Sequence, residues 1–156
     1  MALEQLSKQG SAGCQVIGLH TTATASGAAT RTLLPEESGG IFFWDAADGV
    51  AYTLPAPVVG MQFRFICTVT ITSNAASVTT DAATTFLQGM IWQGTAASAT
   101  MEVQSADGSS DVTMSMNGTT TGGVESTDVT FTCITATQWQ VTGGVMGSGT
   151  LATPFA

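Results

Sequence analysis

Residues 33 to 66, LLPEESGGIFFWDAADGVAYTLPAPVVGMQFRFI, set short apolar runs between Gly, Pro and Asp at strand spacing. That punctuation narrows the possible folds more than any other feature of the chain. Ile41 to Trp44 end at a turn from Asp45 to Gly49, Val50 to Leu54 resume the strand pattern, and Pro55 and Pro57 stop it. From residue 61 the period is plainest. MQFRFICTVTI puts Phe63, Phe65, Cys67, Val69 and Ile71 on one side, and Gln62, Arg64, Thr68 and Thr70 on the other. Alternation of period 2 over that length is a strand with one buried face.

The same grammar continues to residue 142. Strands are predicted at 77–80, 86–93, 100–104 and 111–116, with Asp107-Gly108 and Asn117-Gly118 as turns. Residues 128 to 135 point Val129, Phe131 and Cys133 inward, and 138 to 142 do the same with Trp139 and Val141, so the two read as a hairpin. Near the start, CQVIGLH reads as a strand and is followed by a Thr/Ala/Gly-rich stretch. Roughly nine to eleven strands with turn signals about every 8–12 residues predict an all-β chain, an antiparallel β-sandwich of jelly-roll-like type. The sandwich is expected over residues 14–142. Residues 1–13 are expected to form an N-terminal arm with Leu3 and Leu6 on one face, and 143–156 a Gly-rich C-terminal arm or edge strand ending in Pro154 and Phe155. Leu3, Leu6 and Phe155 are therefore candidate partner contacts.

Charge excludes some functions. Only 9% of residues are charged, and eleven Asp and Glu face Lys8, Arg31 and Arg64 for a net charge of −8. Nucleic-acid affinity rests on neutralising phosphates, so this chain is not expected to bind DNA or RNA. A hydroxyl-rich, charge-poor surface suits a chain held in an assembly. Cys14, Cys67 and Cys133 are odd in number and lack CxxC spacing, so neither a disulfide framework nor a zinc site is signalled. Cys67 and Cys133 share the parity of core residues. With no apolar leader and no run of about 18 apolar residues, the expected compartment is the cytoplasm in which the chain is made, without membrane insertion.

Candidate chemistry is sparse. His20 is the sole histidine, which rules out a His cluster or a Ser-His-Asp triad beyond one ring. Glu36 and Glu37 are adjacent and point apart in an extended segment. Asp45 and Asp48 suit Asx turns. The Gly-rich stretches lack the Lys-Ser/Thr of a phosphate loop. No catalytic, cofactor or metal residue is expected. Trp44 and Trp139 read as core. Trp92 and Tyr52 offer either interface packing or a glycan-stacking platform. Arg64, mid-strand opposite Phe63 and Phe65, either lies on a solvated sheet face or pairs with a carboxylate across a subunit boundary.

The segment GGIFFWDAADGVAYTLPAPVVGMQFRFI resembles head decoration, or cement, proteins of tailed bacteriophages. The matching elements are the aromatic strand Phe42 to Trp44, the turn Asp45 to Gly49, the strand end Thr53 to Pro57, and Gly60 to Phe65. TCITATQWQVTG, with Trp139, is similar to the closing hairpin of such proteins. The likeness is specific over residues 40–66 and loose over 33–142. It implies a β-sandwich homotrimer on the outer surface of the virion capsid, bridging major capsid protein subunits without any catalytic residue. The competing expectation is a receptor- or glycan-binding module of a head or tail fibre, with Trp92 or Tyr52 as the stacking surface.

Overall fold

The computed structural model describes residues 15–16 and 29–156. The arm at 1–13, with Leu3 and Leu6, and His20 lie outside the described residues. The described residues form eleven strands: β1 Gln15–Val16, β2 Ala29–Thr32, β3 Gly40–Trp44, β4 Val50–Thr53, β5 Gln62–Cys67, β6 Ala76–Thr79, β7 Phe86–Thr95, β8 Ser98–Asp107, β9 Thr113–Met116, β10 Asp128–Thr135 and β11 Gln138–Gly147. They form a seven-stranded sheet in the order β1-β3-β5-β10-β11-β7-β8 and a four-stranded sheet in the order β2-β4-β6-β9. The all-β sandwich expected from the sequence is the observed architecture.

Strand direction departs from that expectation. From β1 to β6 the chain alternates between the two sheets, each strand landing beside the one two places earlier and parallel to it. The later strands pair antiparallel, apart from β11 with β7, which run parallel. Parallel neighbours need a long crossover, and here each crossover is itself a strand of the opposite sheet. The sheets are therefore mixed, not uniformly antiparallel. The Asp45 to Gly49 turn carries the chain from one layer to the other.

Inward residues of both sheets meet in one core. Phe42, Trp44, Phe63, Phe65, Phe131 and Trp139 from the larger sheet pack on Val50, Tyr52, Val78, Met114 and Met116 from the smaller. Trp44 stacks on Phe65 at 5.2 Å and Phe131 meets Phe65 edge-on at 5.5 Å. Polar atoms in this layer mostly find partners, as burial demands: the Trp44 indole N–H donates to Val50 O at 3.1 Å, and the Tyr52 hydroxyl to Phe43 O at 2.8 Å. Strand β5 ends at Cys67 because the N–H groups of Thr68 and Val69 both turn to Trp44 O. Val69 consequently leaves the inward row it was expected to join, while Ile71 stays buried.

The C-terminal segment corrects a second expectation. Residues 143 to 147 belong to β11, and the last residues close the β9 edge. Val112 and Thr113 donate to Ala156 O, Ser115 donates to Pro154 O, and Ala156 donates to Thr113 O. Phe155, expected at a partner surface, is 6% exposed in the chain's own core. Four strands facing seven leave part of the larger sheet uncovered. The overhang is the β7–β8 end, whose inner side still reaches the core through Leu87, Ile91 and Ala106; its outer face carries the candidate site.

Candidate functional site

Strands β7 and β8 are ten residues each and form a hairpin in which Met90 faces Ser105, Trp92 faces Val103 and Gly94 faces Met101. Directly opposed residues share a face, so Met90, Trp92, Val103 and Met101 lie together on the outer side. They are 65%, 61%, 48% and 67% exposed. Met146, half-buried, lies over Gly94: a Cβ there would stand 2.8 Å from its sulfur. A single exposed apolar residue is unremarkable, but four large ones contiguous on one flat hairpin mark a contact surface.

The same hairpin is held firmly from below. Ile91 and Gln93 are fully buried on the inner side, and the Gln93 amide donates to Thr120 O at 2.7 Å. That carbonyl sits in a loop folded on Asn117, whose Oδ1 accepts the N–H groups of Thr119, Thr120 and Thr121 at 2.9, 2.8 and 3.2 Å. Gly118, at φ +75°, brings this loop against Ile71, where any Cβ would overlap the Ile71 carbonyl oxygen. The overhang is thus a braced platform with a bare apolar face.

Toward the middle of the sheet the outer face turns polar. Arg64 Nε donates to Asp128 Oδ1 at 2.9 Å, and its Nη2 pairs with Oδ2. Of the two alternatives for Arg64, the solvated sheet face is the one observed, and the carboxylate it pairs with is on the neighbouring strand of the same chain, in a fork geometry that suits guanidinium and carboxylate. Gln62 donates to Thr132 Oγ1 at 3.2 Å and Gln88 to Gln140 Oε1 at 3.4 Å. Of the expected contact residues, the structure sets Trp92 in the exposed cluster and Arg64 in the polar field beside it.

Tyr52 is corrected as a stacking platform. It is 1% exposed, and burial pushes its hydroxyl up to about 12, against the opposing pull of Arg31. Burial also raises the thiols, Cys67 to about 11 and Cys133 in the same direction. Neither is a ready nucleophile, since the thiolate is the reactive form. The Asp107 carboxyl is held well below the usual carboxylate range by the Ser110 hydroxyl and the N–H groups of Ser109 and Ser110. These bonds build the turn after β8. Glu37 accepts from Leu34 N at 2.9 Å and pairs with Arg31 in a 3-10 turn, so Glu36 and Glu37 are not in an extended segment.

A shallow cleft of about 370 Å³ lies between the tip of the hairpin and Gly149 to Leu151, with Glu102 its only titratable lining residue. Among the described residues no three of His, Cys, Asp and Glu gather where a metal could be held, and no helix is long and apolar enough to cross a membrane.

Met90, Met101 and Val103 were not singled out from the sequence. The signal was present as Met101 and Val103 alternating with Thr100, Glu102 and Gln104. Alternation shows that a strand has two unlike faces without saying which one is covered. Comparison of the chain with family models, with curated proteins and with solved structures returns no match.

Proposed function

We propose that this protein works by the surface it covers: a structural virion protein that sits as a homotrimer on the outside of a phage capsid and clamps neighbouring major capsid subunits. The observation that carries this reading is the bare apolar face of Met90, Trp92, Met101 and Val103 on a braced hairpin. The resemblance of residues 40–66 to decoration proteins supplies the kind of partner. Covering such a face releases roughly 25 cal/mol per Å² of apolar area, and aromatic and methionine side chains are typical anchors of interfaces. A clamp that buries area across capsomer boundaries raises the free energy of separating them. The net charge of −8 suits a position outside the shell, away from packaged DNA.

The test is co-sedimentation of the purified protein with undecorated capsids of its parent particle. Wild-type protein is expected to pellet with the shells, and Trp92→Ala combined with Met101→Ser to lose at least tenfold in affinity while keeping its circular dichroism. Wild-type protein left in the supernatant overturns the reading. One observation favours a glycan-binding alternative: the exposed Trp92 indole stands on the same outer face as Gln88 and Gln140. Glycan-array binding that Trp92→Ala abolishes, without capsid binding, would select it.

A further inference from the structure

Of the strands that end each sheet, β8 is the long one left open. The β9 edge is closed by Pro154 to Ala156, and β1 lies along the β3 edge. At the far end of the smaller sheet β2 has four residues. Strand β8 runs ten residues, SATMEVQSAD, and no described strand pairs with its outer side. Long edges are normally blunted by Lys, Pro, inward charges or bulges. Here there is neither Lys nor Pro, Glu102 is the one inward-side charge in the middle of the strand, and the single register irregularity lies at the hairpin tip, between Gly94 and Thr95. The exposed side chains Met101 and Val103 stand on that strand itself.

We infer that the occupant of this edge is a second copy of the same strand, paired antiparallel about a two-fold axis centred on Val103. Residues directly opposite share a face, so a two-fold pair must seat some residue against itself. Near the middle of β8 the choices are Glu102, Val103 and Gln104. Seating Glu102 on itself opposes two carboxylates, which destabilises a sheet pair. Seating Gln104 on itself leaves residues 98–100 without partners. Centring on Val103 pairs residues 99–107 and sets Glu102 opposite Gln104, Met101 opposite Ser105 and Ala99 opposite Asp107 of the other copy. No like charges stand directly opposite; the two Glu102 side chains are diagonal neighbours, farther apart than a facing pair. On the outer face Trp92 and Val103 of each copy then form one apolar row across four strands spaced about 4.8 Å apart. The two larger sheets become continuous, the β-augmentation mode of recognition with the chain as its own partner.

This inference uses only the open edge and stands apart from capsid binding; either reading can fail without the other. Together with the proposed three-fold assembly it would join two trimers, and blocking the edge halves the mass in either case. The test exchanges charge at the axis. Val103→Lys and Val103→Glu, each prepared alone, seat like charges on one another and are expected to halve the mass seen by light scattering for the wild type. Mixed in equal amounts they are expected to restore it. Near-UV circular dichroism confirms that each variant is folded. A second measurement places Cys at single sites in a Cys14→Ser background, Cys67 and Cys133 being buried. With a short bismaleimide, Val103→Cys is expected to give a two-chain band, and Thr142→Cys, exposed on the same face but two strands in from the edge, is not. Wild-type mass unaffected by either charge variant, or equal cross-linking at both sites, overturns the inference.

Discussion

The wound half of the molecule, β2 to β6, and the hairpin β7–β8 are built from similar residues and treat them oppositely. In the wound half, Phe42, Trp44, Tyr52, Phe63 and Phe65 all face the opposite sheet and are buried. In the hairpin, Met90, Trp92, Met101 and Val103 face outward. The difference is one of side: the first set stands on the faces the two sheets turn toward each other, the second on the outer face of the larger sheet. Winding lays a strand of each sheet over the other at every pass, so every inward residue gains a partner layer. The hairpin's inner side is buried too, through Leu87, Ile91, Ala106 and the Gln93 bond to the Thr120 loop, whereas no second layer lies on its outer side. Stability is therefore concentrated in the wound half and unsatisfied apolar surface in the overhang.

The largest break in that contrast is Phe65→Ala. Phe65 touches Phe42, Trp44, Tyr52 and Phe131, and losing it should cost about 3–5 kcal/mol, read from the denaturant midpoint. Gly118→Ala should follow, at more than about 1 kcal/mol, because φ +75° and the Ile71 carbonyl both reject a Cβ. Its effect should fall on the brace beneath the overhang, as faster amide exchange at Gln93 than at Phe65.

Tyr52 sharpens the contrast through pH. Its hydroxyl is raised from 10.0 to about 12 in the folded state, so folding favours the neutral form. The stabilisation is fully present below pH 10 and lost as pH climbs toward 12. Thermal melts of the wild type should fall through that window. Tyr52→Phe should lose about 1 kcal/mol at pH 7 with its hydrogen bond and fall less steeply in alkali, the raised Cys67 thiol accounting for part of what remains. The smallest effect belongs to the overhang: Trp92→Ala should move stability by no more than about 0.5 kcal/mol. A cost of several kcal/mol there would mean that Trp92 is structural in the isolated chain.

Much of the strand grammar was legible. The runs at Ile41 to Trp44 and at Gln62 to Cys67, and the hairpin joining β10 to β11, follow from period 2 and turn residues, and the parity of Cys67, Cys133 and Trp139 correctly marked them as core. The winding was not legible. DAADG is a turn wherever it leads, and the step from Trp44 to Val50 could equally have made a hairpin. Of the arm and edge-strand alternatives for the Gly-rich tail, its last residues take the edge, and Phe155 is drawn into the core because closing β9 turns its side chain inward, which composition does not show. Trp92 was recognised as open to a partner, but its companions were not, since Met101 and Val103 become its neighbours only through the β7–β8 register.

What the amino-acid order determined by itself was local: which segments extend, where they turn, and which alternate residues must go to the same side. Which side meets another layer and which stays bare was decided only in three dimensions, when the second sheet came to lie on one face of the larger sheet and not on the other. Side-chain alternation is a property of one strand, whereas burial needs a second surface, and the side on which that surface will lie is not written in any one of them.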